Sequence, residues 1–376
     1  MTGQYLSRLS TVSVALLFAT TAFANDLIVS APRADPPGLY RIDREGKPEL
    51  LVALPQANFF KFRSDGEVVY AIGAEAGGPG KRGGATAVHA FAANGDALRP
   101  LGALLLAGRG PCCLDVTPDG RAVLIANYGD GSVEAFEADD SGRLGGPLGR
   151  WRHAGSGPVA KRQSGPRAHA FRADPSGTFA VAPDLGSDRL YVYRLGTAGD
   201  GRPTVTPAGP PFVAVEPGSG PRHVAFHPTA PLAFVTYELS ASLGIFRYRD
   251  GLLTHLETVV TSPPVDGPYN NSEVRVSPDG RHVTIANRGH DSLAVFEIVS
   301  TSADSAGTLG PPAYVSSGGH WPRHFSYSPD GERLAVANQK AGTVTLFDID
   351  AETGLPELTR TFEGLGGAIC VQFGPE

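Results

Sequence analysis

Short apolar runs, each bounded by a turn, recur along this chain with a period near 50 residues. Each repeat reads as an apolar strand, a tight turn, a second apolar strand, and a third strand that ends in an aromatic residue. The six turns are Ser64-Asp65-Gly66, Pro118-Asp119-Gly120, Pro175-Ser176-Gly177, Pro228-Thr229-Ala230, Pro278-Asp279-Gly280 and Pro329-Asp330-Gly331. Alternation of this kind, interrupted by Pro, Asp and Gly, predicts antiparallel hairpins. A period of this length with several strands per unit favours a β-propeller over a helical solenoid.

The spacing inside each repeat is nearly constant. In five copies the aromatic residue lies 16 positions after the last turn residue; these aromatics are Phe136, Tyr193, Phe246, Phe296 and Phe347. In the first copy the same interval, from Gly66 to Phe91, is 25 residues, so nine residues are inserted around a glycine-rich stretch at 77–84. The constancy indicates one fold repeated strand by strand, and the role of the insertion stays open.

The two ends of the chain supply parts of one further unit. Residues 27–30 and 39–42 match the second and third strands of a repeat, and residues 368–373 match a first strand. The sequence therefore predicts an all-β, seven-bladed propeller of four-stranded antiparallel blades in one domain, 25–376. The N-terminal strands pair with the C-terminal strand, which closes the ring and removes the exposed sheet edges.

Residues 1–24 are predicted to lie outside this domain. Arg8, an apolar stretch at 9–21, and the small-x-small sequence Ala22-Phe23-Ala24 are typical of a secretory signal peptide. We expect cleavage after Ala24, a periplasmic or secreted protein, and no membrane span after cleavage, because no later segment has the ~18 apolar residues required.

Net charge and cysteine content limit the classes of partner and bound group that are expected for this protein. The net charge is −6, or −7 without Arg8, and there is no Lys/Arg cluster, so nucleic acid is a poor candidate partner. The three cysteines, Cys112, Cys113 and Cys370, are too few and too oddly spaced for a disulfide framework. No Cys/His cluster has zinc spacing, and no cofactor is expected, while occupation of the channel by an ion such as calcium stays open. The protein is expected to be a monomer.

Two positions of each repeat are predicted to ring one mouth of the channel, at the blade end opposite the turns. The position six residues before the turn holds Asn58, Cys112, His169, Arg222, Ser272 and Arg323. The position eight residues after the turn holds Ala74, Tyr128, Leu185, Glu238, Arg288 and Gln339. By contrast, the residues four before the turn are uniformly apolar, as expected for blade-to-blade packing. A polar, varied ring on a repetitive scaffold is typical of a functional site.

The charged members of this ring come from four consecutive blades. Buried arginines are costly unless they meet a carboxylate or an anionic ligand. Glu238 can neutralise only part of Arg222, Arg288 and Arg323, which predicts an anionic or carbonyl-bearing substrate. The alternative is that Arg222 and Glu238 form a structural ion pair within one blade, and that His169 is a structural histidine.

Three neighbouring residues are predicted to be structural. His223 and His324 lie one position further along their strands, and we expect them to form hydrogen bonds between blades. Cys112 is expected to fill a small apolar role, because no sequence feature indicates an activated thiol.

The chain resembles the seven-bladed lactonase family, which comprises propeller-type 6-phosphogluconolactonases and fungal carboxymuconate-lactone cyclases. The stretches that carry the resemblance are 220–228, Tyr237-Glu238-Leu239, 277–281, 286–292, Pro322-Arg323 and Ala337-Asn338-Gln339. The resemblance implies an active-site set of His169, Arg222, Glu238 and Arg288. Four other ring positions, Arg323, Tyr128, Asn58 and Gln339, are predicted to bind the substrate. The chain departs from the family in the first-blade insertion and at Cys112-Cys113, where a Thr-His or similar pair is more usual.

The function expected from this resemblance is metal-independent hydrolysis of a sugar lactone. Glu238, or else His169, would be the general base toward water and the other the proton donor, while Arg222 and Arg288 would stabilise the oxyanion. Export favours a non-phosphorylated aldonolactone, whereas the family default is 6-phosphogluconolactone. Two alternatives stay open: a carboxymuconate-lactone cycloisomerase, and a non-catalytic exported propeller that binds a ligand or partner.

Overall fold

The computed structural model describes residues 23, 25–43, 45–75, 85–94, 97–302 and 307–375. Within these ranges the chain forms seven four-stranded antiparallel sheets, and each sheet is one blade of a ring. The prediction of an all-β, seven-bladed propeller is confirmed.

We number the blades from the first complete repeat. Blades 1 to 3 contain β4 (Phe59–Phe62), β5 (Val68–Ala74), β6 (Thr86–Asn94), β7 (Ala97–Leu105), β8 (Pro111–Val116), β9 (Ala122–Asn127), β10 (Ser132–Ala138), β11 (Leu144–Arg152), β12 (Arg172–Ala173), β13 (Phe179–Asp184), β14 (Arg189–Thr197) and β15 (Pro203–Ala214). Blades 4 to 6 contain β16 (Pro221–Phe226), β17 (Leu232–Tyr237), β18 (Ser242–Arg249), β19 (Leu252–Val260), β20 (Asn270–Val276), β21 (His282–Arg288), β22 (Ser292–Glu297), β23 (Ala313–Ser316), β24 (Pro322–Tyr327), β25 (Arg333–Asn338), β26 (Thr343–Ile349) and β27 (Pro356–Phe362).

Blade 7 is built from both ends of the chain. It contains β1 (Leu27–Ala31), β2 (Gly38–Ile42), β3 (Pro48–Ala53) and β28 (Cys370–Phe373), in the order β28-β1-β2-β3. The strand β28 pairs antiparallel with β1, from Ser30 opposite Cys370 to Leu27 opposite Phe373. The predicted closure of the ring is therefore confirmed.

The turns and the packed faces explain why this sequence adopts the fold. The last residue of the turn is a glycine with positive φ in five repeats, for example Gly120 at 73° and Gly331 at 78°, a conformation that residues with a Cβ seldom adopt. The apolar position four residues before each turn is buried in every repeat, and those in blades 1 and 3, Phe60 and Phe171, have no exposed surface. These side chains pack neighbouring blades together, as the alternation predicts.

A β-bulge lies at the channel mouth in four of the inner strands. The register shifts fall between Pro111 and Cys113, between Pro221 and Val224, between Asn271 and Val274, and between Pro322 and His324. A bulge takes residues out of the ladder and changes the direction of their side chains. Each bulge contains one member of the first predicted ring, and two of these residues, Cys112 and Arg323, line a cavity at the channel mouth.

Two sequence predictions fall partly or wholly outside the described residues. The glycine-rich stretch 77–84 lies outside them, as does the proposed leader except for Phe23. That side chain is 1 % exposed, and its ring centroid lies 6.3 Å from that of Phe62. Over the part of the chain that is described, no helix has the length and apolar character needed to cross a membrane.

Candidate active site

A cavity of about 450 Å³ opens at the mouth of the channel. Its lining combines strand ends and connecting segments from several blades, and comprises Asn58, Gly110, Pro111, Cys112, Tyr128, Arg162, His169, Glu238, Asn270, Arg288, Trp321, Arg323 and Ile369. Cavities of this size suit a small organic ligand.

Most of the predicted ring residues meet in this cavity. The lining includes three of the four proposed catalytic residues, His169, Glu238 and Arg288, and also Arg323, Tyr128 and Asn58. Arg222 does not line the cavity: it is 2 % exposed and contacts Glu238, with Arg222 Nε 3.0 Å from Glu238 Oε2. Gln339 does not line it either, although its backbone N–H donates to the carbonyl of Trp321. Six of the eight predicted site residues therefore line this one cavity, whereas Arg222 and Gln339 lie outside its lining.

Glu238 is the centre of the charge network. It directly follows β17, and its side chain is 4 % exposed. Arg222 Nε and Arg288 Nη2 lie 3.0 and 2.9 Å from Oε2, and Arg162 Nη2 donates to Oε1 at 2.6 Å. Burial acts to raise the pKa of Glu238, but the charges of Arg288 and Arg222, then of His169 and Arg162, hold it well below the usual value. Glu238 is therefore a permanent carboxylate at neutral pH and a weak base.

His169 lies beside this carboxylate, in the irregular segment just before β12. Its Nε2 lies 3.9 Å from Glu238 Oε2, and its Nδ1 lies 3.8 Å from Cys112 Sγ. Burial first, and then the nearby charges of Arg222 and His223, hold the pKa of His169 well below the usual 6.5. The imidazole is accordingly neutral at pH 7 and free to accept a proton.

Arg323 gives the cavity its excess positive charge. No carboxylate among the described residues lies within ion-pair distance of this guanidinium. Burial and the charge of Arg222 lower the pKa of Arg323 to about 10, so it stays protonated at neutral pH. The cavity lining therefore carries Arg162, Arg288 and Arg323 against the single carboxylate of Glu238, an arrangement suited to an anionic ligand.

Six lining residues lie outside the predicted rings: Gly110, Pro111, Arg162, Asn270, Trp321 and Ile369. Arg162 and Trp321 have the largest side chains of the six. Arg162 comes from the long connection between β11 and β12, which has no counterpart of equal length in the other repeats. Trp321 precedes β24 with φ at 69°, a strained conformation for a bulky residue. Lys340 Nζ lies 3.2 Å from the centroid of the Trp321 ring. The one signal in the sequence was that Trp321 directly precedes the predicted pair Pro322-Arg323.

A second buried charge cluster forms around Glu273, on the inner strand of blade 5. Glu273 Oε2 accepts a hydrogen bond from His223 Nδ1 of blade 4 at 2.8 Å. His324 Nε2 of blade 6 lies 3.5 Å from the same oxygen. The predicted role of both histidines in contacts between blades is therefore confirmed.

The cysteines are all free thiols. Cys112 lines the cavity, and burial raises the pKa of its thiol to about 12. Its sulfur is thus protonated at neutral pH, which agrees with the expected absence of an activated thiol. Across the described ranges, no three His, Cys, Asp or Glu side chains are grouped so as to hold a metal ion.

Comparison with known proteins gives a consistent result. The family described as "Lactonase, 7-bladed beta-propeller" matches residues 42–373. A 6-phosphogluconolactonase of Bacillus subtilis is 34% identical over 341 residues, which cover 89% of this chain and 93% of that protein. A 6-phosphogluconolactonase of Formosa agariphila is 28% identical over 66% of this chain and 69% of its own length. Among solved structures, the periplasmic gluconolactonase of Pseudomonas aeruginosa has a TM-score of 0.82 and 26% identity, and the match covers 93% of this chain and 98% of that one.

Proposed function

We propose that this chain, which belongs to the seven-bladed β-propeller lactonase family, hydrolyses a sugar lactone in the cavity at the channel mouth. The observation that carries the proposal is a neutral imidazole, His169, beside a permanent carboxylate, Glu238, in a cavity with an excess of guanidinium groups. The relatives with an activity in their names are lactonases, which favours hydrolysis over the cycloisomerase alternative.

His169 is the proposed general base. The pKa values of both groups are lowered, but an imidazole starts from a higher ordinary value than a carboxylate, and guanidinium groups hold both oxygens of Glu238, so His169 is the better proton acceptor. His169 takes a proton from water as the water oxygen forms its bond to the lactone carbonyl carbon. The resulting imidazolium is stabilised by Glu238, whose Oε2 lies 3.9 Å from His169 Nε2.

The same histidine completes the reaction. As the tetrahedral intermediate collapses, the bond from the carbonyl carbon to the ring oxygen breaks. The imidazolium returns its proton to the departing alkoxide, and the new carboxylic acid loses its own proton to solvent. One water is consumed, and His169 ends as it began.

The guanidiniums supply charge stabilisation. Arg288 lines the cavity, and its Nη2 donates to the carbonyl of Asn271 at 2.8 Å, which fixes its orientation toward Glu238. We assign Arg288 to the developing oxyanion, where the loss of one donor costs ~2.7–4 kcal/mol. Arg222 is buried behind Glu238 and serves to position that carboxylate. Arg323, Tyr128, Asn58 and Trp321 are assigned to substrate binding.

Export is also part of the proposal. Residues 1–24 act as a leader that is removed after Ala24, and residues 25–376 form the propeller domain in the periplasm or outside the cell. The periplasmic gluconolactonase with the same fold supports this location. Cleavage there would remove the contact between Phe23 and Phe62. Mass determination of the exported protein tests the assignment, because the mature chain should begin at Asn25.

A lactone screen tests the activity. We expect the mature protein to open gluconolactone or 6-phosphogluconolactone with incorporation of one oxygen atom from ¹⁸O-labelled water. His169→Ala should lose at least a hundredfold in turnover, within the range of ~10²–10⁴ that general acid–base catalysis provides. A folded protein that turns over no lactone of the panel would contradict the proposal.

A further inference from the structure

Arg162 differs from the other arginines of the site in where it comes from. Arg222 and Arg288 belong to strands, whereas Arg162 lies in the connection between β11 and β12. Its side chain is 37 % exposed, against 2 % for Arg222 and 5 % for Arg288. Of the three guanidinium groups that contact Glu238 among the described residues, that of Arg162 is therefore the one that can leave without opening a buried strand.

The backbone next to Arg162 is firmly held. The Gln163 side chain is completely buried, and its Nε2 donates to the Leu185 carbonyl at 2.9 Å and to Asp188 Oδ1 at 2.7 Å. Its Oε1 accepts a hydrogen bond from the backbone N–H of Val159 at 3.0 Å. Since the loop is anchored at the adjacent residue, Arg162 can change partners by side-chain rotation alone.

The two oxygens of Glu238 have separate partners. Oε2 is held by the buried pair Arg222 and Arg288. The hydrogen bond to Oε1 comes from Arg162, whose Nη2 also donates to the Tyr128 hydroxyl at 3.1 Å. Tyr128 and Arg162 both line the cavity, so this exchangeable contact faces the space a ligand would fill.

We propose that Arg162 changes its binding partner when substrate binds. An anionic substituent of the lactone, in particular a phosphate, takes the place of Glu238 as the partner of the Arg162 guanidinium. This inference rests on the proposed lactonase function. A guanidinium binds phosphate with two parallel hydrogen bonds, which a single carboxylate oxygen cannot match. Arg323 is placed to hold the same group, because it also lines the cavity and no carboxylate of the described residues lies within ion-pair distance of it.

The move of Arg162 from Glu238 to the substrate also affects the general base, His169. When Arg162 binds the substrate instead of Glu238, less positive charge lies next to the Glu238 carboxylate. The carboxylate then stabilises the imidazolium form of His169 more strongly. A phosphorylated lactone would then bind more tightly, because it contacts Arg162, and react faster, because His169 is a better general base. Arg162 is a positioning and specificity residue here, because it acts on proton transfer only through Glu238.

Binding of unreactive ring analogues tests the inference without relying on turnover. Glucose 6-phosphate and glucose differ only in the phosphate, and calorimetry gives the affinity of each. We expect the wild type to prefer glucose 6-phosphate at least tenfold, Arg162→Gln to lose at least tenfold in affinity for it, and glucose binding to change less than twofold. Lys161→Gln is the matched control, since it removes the same charge from the adjacent exposed position and should keep the preference.

Steady-state kinetics then separates this inference from the function it rests on. For Arg162→Gln we expect the KM for 6-phosphogluconolactone to rise at least tenfold with little change in its kcat. The kcat for gluconolactone should rise, because Glu238 is then free of Arg162 whichever lactone is bound. Arg162→Lys should recover part of the preference, because it keeps the charge but lacks the two-pronged contact. A wild type that binds both sugars equally, or an Arg162→Gln variant that keeps the preference, overturns the inference even if lactones are hydrolysed.

Discussion

Replacement of Glu238 by Gln should lower lactone turnover at least tenfold in a protein that still folds. The change keeps the shape of the side chain and removes its charge. His169 Nε2 lies 3.9 Å from Glu238 Oε2, so at an effective dielectric constant of ~20 the carboxylate stabilises the imidazolium by about 4 kcal/mol. Without it the pKa of His169 falls further, and the imidazole becomes a poorer base.

The size of the effect follows from this energy. If all of it were lost from the transition state, turnover would fall about a thousandfold, and a third of it corresponds to about tenfold. Stability should fall as well, because removal of one partner from a buried ion network costs ~3–5 kcal/mol. Turnover must therefore be measured on protein whose folding has been checked by circular dichroism and thermal melting.

Glu273→Gln provides the matched control. Glu273 is 1 % exposed and has charged partners of its own, but no ion pair joins it to His169 among the described residues. We expect a similar loss of stability and a turnover within about threefold of wild type. The reasoning is refuted if folded Glu238→Gln turns over lactone within twofold of wild type, or if both variants lose activity equally.

Three further predictions follow from burial, charge and closure. Because the pKa of His169 lies well below 6.5, its neutral form persists on acidification, so kcat/KM should stay level from pH 8 down to 6.5 and decline only at lower pH; an acid limb above pH 7 would contradict this. Because the pKa of Cys112 is about 12, iodoacetamide should leave this thiol unmodified at pH 8, as peptide mass analysis can verify. Deletion of residues 370–376 should expose the edge of β1 and cause aggregation, measured by light scattering; a monodisperse truncated protein would argue against the role of closure.

The sequence was a good guide to the fold because the fold is a repeat. Turn residues, strand alternation and aromatic ends recur together, so each blade supports the assignment of the next. The same periodicity located His169, Glu238, Arg288 and Arg323 at one mouth of the channel, and the structure places them around one cavity. The periodicity does not distinguish residues that line the cavity from residues buried directly behind them. For this reason Arg222 was predicted to lie closer to the ligand space than it does.

The repeat does not predict the positions of Arg162 and Trp321. Both lie in connections between blades, where length and conformation are not fixed by the repeat. The direction of Arg162 depends on the burial of Gln163, a contact with no signature in the sequence. The position of the Trp321 side chain depends on a positive φ, a backbone conformation that is unfavourable for a bulky residue.

The pairing of β28 with β1 also bears on when the protein can finish folding. Leu27 is among the first described residues of the domain to be synthesised, and its partner Phe373 is among the last. The edge of the first blade to be made therefore stays open throughout translation, because contacts so distant in sequence form late. The ring can lock only after the last strand has been synthesised, so the fold is completed at the end of translation and not during it.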